Sequence, residues 1–277
     1  NTMDKGIADA HSQLASIAIN ISSFPIIAPE IDDAGRLERA LEYVSTNHGI
    51  LLVPTDTTLT VDSVTLTDKT NFKILVEGTL KRRAGGTSKG MIILLNCHDV
   101  DIWLNADGNV ANNGVTLNEH QHILSIGGGS SKIRLHQIIA KNPAGDIIYL
   151  NDCNDVYGGH ILGYGEDTGR NTLTIVKGKR MQFDKITSIG VGTEPMPCGV
   201  DLEPNSVTDT IKDIQFGNVY VESIGTGGFS LSNGKGADCQ GITANSVIVH
   251  KKTQIGTEWS RIGISVTGFK HVKVNEI

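Results

Sequence analysis

Short segments in which apolar residues alternate with polar ones recur along the chain from residue 90 onward. Seven of them share an apolar–x–apolar core followed by a polar or small residue. Aligned on the last apolar residue, they form one column: Leu95, Ile126, Leu150, Ile175, Leu202, Leu231 and Val266. Successive members are 31, 24, 25, 27, 29 and 35 residues apart, with no helical pattern between them. This variable repeat predicts an all-β fold, a parallel β-helix with about three strands in each rung, or turn of the helix.

One amphipathic helix is predicted ahead of the repeat, at residues 31–47. Its apolar stripe consists of Leu37, Ala40, Leu41 and Val44. Asp32 or Asp33 is suited to cap its N-terminus, and Gly49 lies just past its end. Because the first strands of a β-helix would otherwise leave an open sheet edge, we expect this helix to cover the N-terminal end of the stack.

The first 22 residues carry a different pattern, with apolar residues spaced alternately by four and three: Met3, Ile7, Ala10, Leu14, Ile17 and Ile21. This heptad spacing predicts a short coiled coil that holds subunits together, most simply as a trimer. A helix lying on the following domain is the alternative. We therefore divide the chain into an oligomerisation segment, 1–22, and a β-helix domain, 23–277. The chain starts without Met and stops within an apparent strand, so we expect it to be truncated at its C-terminus.

Composition and charge exclude several classes of binding partner. The net charge is −6 and no basic block is present, so no nucleic-acid partner is expected. No apolar run approaches the roughly 18 residues of a membrane span, so no membrane insertion is expected. The four cysteines are far apart and form no CxxC pair, which favours reduced, partly buried core residues over a zinc site.

The acidic pair Asp201 and Glu203 is the strongest candidate for chemistry. In the segment CGVDLEPN, period two puts Val200 and Leu202 on the inner face and both carboxylates on the outer face. Two nearby carboxyl groups raise the pKa of at least one of them, as glycoside hydrolysis requires. We assign Glu203 as the general acid and Asp201 as the base or nucleophile, with the two roles interchangeable. The alternatives are a solvated strand face and a pair that caps backbone N–H groups.

Four further residues are predicted to bind substrate. Tyr149 lies two rungs from the acidic pair on the same outer face, and Asn205 follows the pair directly. Trp259 and Arg261 lie in the insertion that makes the last spacing the longest, where they could stack on a sugar or pair with a phosphate. No cofactor is predicted with certainty. His120 and His122 could ligate a metal but lack a third ligand nearby.

The predicted helix, the sequence GILLVP after it and the irregular stacked segments resemble the pectate-lyase-like right-handed β-helix superfamily. With a heptad segment in front, the chain is most similar to phage tailspikes, and among them to the appendage proteins of short-tailed Bacillus phages. Only Asp32–Pro54 and GVDLEPN are sequence-specific in this resemblance. It implies a homotrimer on the virion tail, made in the bacterial cytoplasm beside other tail proteins and acting outside the host. It also implies binding and cleavage of a surface polysaccharide or wall teichoic acid.

Three functional hypotheses follow. The first is a depolymerase that hydrolyses the surface polymer with Asp201 and Glu203. For teichoic acid the bond would be a phosphodiester, and a divalent cation (Ca or Mg) could assist. The second is a receptor-binding or structural fibre without catalysis. The third is a polysaccharide lyase, for which Lys177 and Arg180 are the nearest candidate bases, although the acidic cluster that would bind calcium is small.

Overall fold

The computed structural model describes residues 18–86, 89–112, 118–192, 197–223, 227–251 and 262–277. In this part of the chain one α-helix, α1 (Ala34–Thr46), accompanies a large sheet of parallel strands. The strands are β1 (Ile19–Asn20), β2 (Ile50–Val53), β3 (Thr58–Val61), β4 (Val64–Thr67), β5 (Thr70–Arg82), β6 (Gly90–Leu95), β7 (His98–Asp107), β8 (His122–Lys141), β9 (Ile148–Thr168), β10 (Leu173–Val191), β11 (Pro197–Leu202), β12 (Thr210–Ser223), β13 (Gly227–Ser232), β14 (Asp238–Lys251), β15 (Ile262–Thr267) and β16 (Lys270–Glu276).

One set of parallel pairings, here called the site stack, carries the predicted column. It runs from β4 and β6 through the first residues of β8, β9 and β10 to β11, β13 and β15. The pairings confirm six of the seven aligned residues, since Ile126, Leu150, Ile175, Leu202, Leu231 and Val266 are successive partners.

The first aligned residue was wrong by one position. Leu94, which is buried, pairs with Ile126, whereas Leu95 pairs with Gly127 and is 37% exposed. Two consecutive leucines end this segment, so hydrophobicity alone could not distinguish the inward residue from the outward one.

A second stack is formed by β2, β5, β7, the later parts of β8, β9 and β10, and then β12, β14 and β16. The long strands β8, β9 and β10 take part in both stacks, with register shifts where they turn, as between Gly127 and Ser130. One hydrophobic core runs between the stacks. This arrangement is compatible with the predicted parallel β-helix. Its right-handed sense and three strands per rung stay predictions.

Helix α1 lies within the predicted range of 31–47 and buries the whole predicted apolar stripe: Leu37, Ala40, Leu41 and Val44. It packs against β2, β4 and β5. Asp32 provides the side-chain cap, since its Oδ1 accepts a hydrogen bond from Ala34 N at 2.9 Å. Asp33 instead joins the start of the helix to β3, because its Oδ2 accepts a hydrogen bond from Thr60 N at 2.8 Å and its own N–H donates to Thr60 O at 2.7 Å.

The last residues of the predicted coiled-coil segment have other structure. Ile19 and Asn20 form β1, which pairs with β2, and Ile21 begins a short 3₁₀ helix. Ile21 is buried in the core of its own chain, and its carbonyl accepts a hydrogen bond from Arg36 at 3.2 Å. The prediction is therefore corrected for residues 18–22, where pairing with β2 and core burial replace a seam between helices. The heptad positions from Met3 to Ile17 lie outside the described residues.

Three cysteines, Cys97, Cys153 and Cys239, are buried and free. Burial raises the pKa of the Cys153 thiol to about 12, so this group is an inert core residue. No helix among the described residues is long and apolar enough to cross a membrane.

Candidate active site

A cavity of about 470 Å³ opens on the outer face of the site stack. Its wall is formed by the segment before β8 and by residues in or next to the strands of the site stack. The lining residues are Glu119, His120, His122, Tyr149, Arg170, Thr174, Val176, Asp201, Glu203, Asn205, Ser230 and Ser232. Four of the six predicted site residues therefore meet in one place: Asp201, Glu203, Tyr149 and Asn205. Trp259 and Arg261 lie outside the described residues.

Asp201 lies on the floor of this cavity. It is the outward residue between the inward Val200 and Leu202, and its strand neighbours on the two sides are Thr174 and Ser230. The alternation of β11 thus gives the direction that the sequence indicated. The exposure differs, however, because Asp201 is only 1% exposed. The repeat alone predicts an open groove on this face. In the structure the face is a cavity with a wall, to which Glu119, His120 and Arg170, outside the aligned segments, contribute.

This burial changes the acidity of Asp201. The pKa of its carboxyl is raised to about 7, first by burial and then by the charges of Glu203 and Asp146. Arg170 and a hydrogen bond with Ser230 oppose the rise. Asp201 Oδ2 has no hydrogen-bond partner among the described residues. Near neutral pH a large share of this carboxyl is therefore protonated. Of the two roles left interchangeable above, the general acid falls to Asp201.

Glu203 lies at the end of the same strand and is exposed. Its backbone N–H donates to Ile175 O at 3.0 Å, which continues the pairing one residue beyond β11. The turn that follows is held by Asp209, whose Oδ2 accepts hydrogen bonds from Asn205 N at 2.9 Å and Ser206 N at 2.7 Å. Asp209 therefore fixes the position of Asn205 at the cavity and is not itself among the lining residues.

Tyr149 is held in place at its ring and at its hydroxyl group. Its ring stacks on the His122 ring, with centroids 4.3 Å apart and planes within 6°. Burial and the charge of Asp146 raise the pKa of the Tyr149 hydroxyl, while Arg170 and a hydrogen bond with the Asn205 side chain lower it. Tyr149 is thus a fixed, neutral aromatic wall with a polar tip, which suits contact with a sugar ring.

Sequence reasoning missed the part of the cavity wall that contains Arg170. Arg170 lies there, 3.8 Å from Glu119, and its Nε has no hydrogen-bond partner among the described residues. His122, which also lines the cavity, lies beside Asp146, which is completely buried. A signal for this wall exists in the repeat: four positions before Ile126, Leu150 and Ile175, the chain has His122, Asp146 and Asn171. Extending the aligned column backwards would have shown this polar row.

The two candidate histidines belong to no metal-binding cluster of described residues. His120 is exposed and lies beside Glu119, whereas His122 is buried against Asp146. No group of three or more His, Cys, Asp or Glu side chains suited to a metal ion occurs in the part of the chain that the structure describes. The candidate lyase bases are also elsewhere, since Lys177 pairs with Asp152 at 3.1 Å and Arg180 with Asp155 at 2.7 Å, away from the cavity.

Comparison with known proteins adds little to this geometry. No protein-family model and no curated protein matches the chain. Among solved structures, it is similar to a proposed glycosyl hydrolase from Parabacteroides merdae, at 12% identity and a TM-score of 0.48, over 94% of this chain and 95% of that one. It is also similar to an endo-xylogalacturonan hydrolase from Aspergillus tubingensis, at 16% identity and a TM-score of 0.44, over 91% and 73%. Similarities this low carry no argument about the chemistry of this chain.

Proposed function

We propose that the chain hydrolyses a carbohydrate-containing polymer in the cavity that Asp201 and Glu203 line. One observation carries the proposal: a buried carboxyl with a pKa of about 7 lies two residues before a second, exposed carboxyl group, which directly follows the end of β11. A general acid works best when its pKa lies near the pH of the reaction, and enzymes achieve this by burial beside a like charge. A purely structural surface acid has no need of either condition.

In this mechanism Asp201 gives its proton to the leaving oxygen as the bond to the sugar breaks. Glu203 is the second carboxyl group of the pair, and it acts either as base towards water or as nucleophile. Adjacent outward residues of one strand have Cβ atoms roughly 6.5–7 Å apart, a spacing that suits both the inverting and the retaining mechanism. Tyr149 and Asn205 bind the polymer beside the pair. The small outward residues Thr174 and Ser230 on the neighbouring strands leave room for a chain that crosses the stack.

The biological setting is the finer part of the proposal. We propose a phage tailspike or appendage built on a right-handed β-helix, which assembles as a homotrimer with other virion tail proteins. Made in the bacterial cytoplasm, it acts on a surface polysaccharide or wall teichoic acid outside the host. The support is the resemblance of Asp32–Pro54 and GVDLEPN to that family. With teichoic acid the same carboxylates would assist attack on a phosphodiester, with Ca²⁺ or Mg²⁺ as a candidate helper.

The test is release of product from purified polymers. The chain is incubated with Bacillus cell walls and with isolated polysaccharides, and reducing ends and glycerol phosphate are measured. We expect Asp201→Asn and Glu203→Gln each to lower the rate by about 100-fold or more, the usual contribution of an acid–base group. Asp155→Asn is the matched control, because this exposed carboxylate pairs with Arg180 away from the cavity and should leave the rate unchanged.

Two results would contradict the proposal. Full activity in both cavity variants would remove Asp201 and Glu203 from the mechanism. Retention of the polymer by the chain without any product would instead support the receptor-binding fibre. The anomeric form of the first product, followed by NMR, then decides between inversion and retention.

A further inference from the structure

Four side chains joined by hydrogen bonds lie at the surface where the chain turns from the site stack into the second stack. They are Ser131, His98, Asn96 and Asp68. His98 and Ser131 are partners in the parallel pairing of β7 with β8, so both side chains leave the sheet on the same face. Asn96 precedes β7 and Asp68 precedes β5. None of the four is among the lining residues of the cavity.

The directions of the hydrogen bonds follow from the chemistry of the groups. Asn96 Nδ2 donates to Asp68 Oδ1 at 2.6 Å, and Asn96 Oδ1 faces His98. An amide oxygen only accepts, so His98 Nε2, 3.1 Å away, carries a proton. In the neutral ring the other nitrogen, Nδ1, then has the lone pair. It accepts from Ser131 Oγ–H at 2.9 Å.

This network has the order of a nucleophile, a base and a group that orients the base. A serine hydroxyl that donates to an imidazole can pass its proton to that ring as it attacks, provided that the second ring nitrogen is held by an acceptor. Backbone geometry accounts for only half of the network. Asp68 and Asn96 have φ values of 58° and 51°, which Asp and Asn tolerate, whereas neither His98 nor Ser131 has a positive φ.

Two glycines lie beside the network. Gly128 and Gly129 fall in the register shift of β8 and have no partner in the pairings of this strand with β6, β7 and β9. Their φ values are +65° and +88°, and a Cβ atom on Gly129 would lie 3.6 Å from Asn96 Oδ1. Backbone N–H groups outside a ladder, close to a nucleophile, are suited to stabilise the oxyanion of acyl transfer.

We propose that Ser131, His98 and Asn96 form a second catalytic site, which hydrolyses acyl esters. Ser131 is the nucleophile, His98 the general base and Asn96, held by Asp68, the positioning residue. His98 and Ser131 are half-buried, and Asn96 and Asp68 are exposed. A site this open accepts a substituent that projects from a larger molecule, so the substrate class is an acyl group on a hydroxyl of a polymer. This activity is independent of the hydrolysis proposed for the cavity.

The reaction needs only the ester and water. Ser131 Oγ attacks the carbonyl carbon and its proton moves to His98 Nδ1, while Nε2–H stays bonded to Asn96. The ester C–O bond then breaks, and the departing alcohol oxygen takes the proton from Nδ1. Water cleaves the acyl-serine by the same route in reverse, gives its proton to Nδ1 as it attacks, and releases the carboxylic acid and the free Ser131 hydroxyl.

The first experiment asks whether Ser131 is activated. The full chain is treated with a fluorophosphonate, which forms an Oγ–P bond with an activated serine and loses fluoride, and the modified residue is located by peptide mass spectrometry. We expect modification of Ser131 in the wild-type chain and none in Ser131→Ala. A wild-type chain that stays unmodified, or is modified only at other serines, would overturn the proposal.

The second experiment measures turnover of p-nitrophenyl acetate. Ser131→Ala and His98→Asn should each lower the rate by about 100-fold or more, as expected for a nucleophile and its base. His271→Asn is the control for ester hydrolysis by a surface imidazole, because His271 is an exposed histidine on β16, and it should leave the rate unchanged. An unchanged rate in Ser131→Ala would reject the site.

The role of Asn96 has its own test. Asn96→Ala removes the hydrogen bond to Nε2 and should slow the reaction of Ser131 about tenfold, the effect of one lost hydrogen bond. Exchanging the two groups, Asn96→Asp with Asp68→Asn, keeps their contact and places a carboxylate on Nε2. This chain should react at least as fast as the wild type. If Asn96→Ala retains the full rate, Asn96 does not position His98.

The last experiment separates the two proposed activities. Acetate release from an O-acetylated polysaccharide is measured in Asp201→Asn and in Ser131→Ala. We expect release to persist in Asp201→Asn and to disappear in Ser131→Ala. Loss in Asp201→Asn with retention in Ser131→Ala would assign ester cleavage to the cavity and reject the second site. If no polymer backbone is cleaved by any chain, the proposed function fails while the esterase site is still tested.

Discussion

At the scale of single residues, Asp201 shows how one position can serve chemistry at a cost in stability. The flanking Val200 and Leu202 are inward core residues, and the alternation of β11 leaves Asp201 no other direction than the cavity. There it is buried beside Glu203 and Asp146, with one oxygen unpaired among the described residues. Each of these conditions disfavours the ionised form and raises the pKa. A site that needs a protonated acid accepts the lower stability at alkaline pH.

This cost gives a prediction about pH. The folded pKa of Asp201, about 7, lies above the value of 3.8 expected for the unfolded chain, so folding favours the protonated form. The contribution of Asp201 to stability is fully present below the unfolded pKa and is lost as pH rises through the folded one. As pH rises from 5 to 8, the free energy of unfolding of Asp201→Asn should increase relative to that of the wild-type chain by about 2–3 kcal/mol. Denaturant unfolding at several pH values measures it.

This pH experiment needs two controls: a carboxylate whose pKa is lowered rather than raised, and unchanged titratable groups around Asp201. Asp155→Asn provides the first, because Arg180 lowers the pKa of the exposed Asp155 carboxyl, and no gain is expected over the same pH range. Among the described residues, the charged or titratable groups around Asp201 are Glu119, His120, His122, Asp146, Tyr149, Arg170 and Glu203, and all stay in both chains. Parallel curves for Asp201→Asn and the wild-type chain would show that Asp201 is ionised at neutral pH.

At the scale of elements, the strands could be predicted from sequence and the cavity could not. Five of the six correctly aligned residues have a polar or small residue directly after them, which marks the end of the inward pair; the exception is Ile175, which Val176 follows. The alignment failed at Leu95 because Leu94 and Leu95 are both apolar, so the pattern does not show which of them points inward. The cavity wall depends on residues that precede the strands, such as His122 and Arg170, and on how the intervening segments return to the stack. Period-two alternation contains no information about that path.

The helix α1 provides a prediction at this scale. Leu41 is completely buried where α1 covers β2, β4 and β5. We expect Leu41→Asp to lose more than about 3 kcal/mol, since it buries an unpaired charge, and to expose the strands below and cause aggregation. Tyr43→Asp is the control on the same helix, because Tyr43 is 49% exposed. Light scattering and denaturant unfolding distinguish them. A soluble, fully folded Leu41→Asp chain would show that α1 is not the cap.

At the scale of the whole molecule, the two stacks are joined across the interior by aromatic contacts. Phe216 on β12, in the second stack, stacks on Phe183 at 5.5 Å and meets the edge of Phe229, on β13 of the site stack, at 5.2 Å. In packing of this kind, each residue contacts only residues of neighbouring strands in the stacks. Stability in such an architecture is expected to be a sum of local terms and neighbour contacts rather than one global quantity.

Phe216→Ala tests this view of the molecule. Removing a nearly fully buried ring should lower the free energy of unfolding by about 3–5 kcal/mol, the usual cost of such a cavity. Because the contacts are local, amide exchange should quicken first in β10, β12 and β13, while α1, β2 and β5 at the far end keep their protection. Tyr43→Ala, at an exposed aromatic residue, is the control for ring loss. Equal loss of protection from β2 to β16 would mean that the stack unfolds as one unit and that the local description fails.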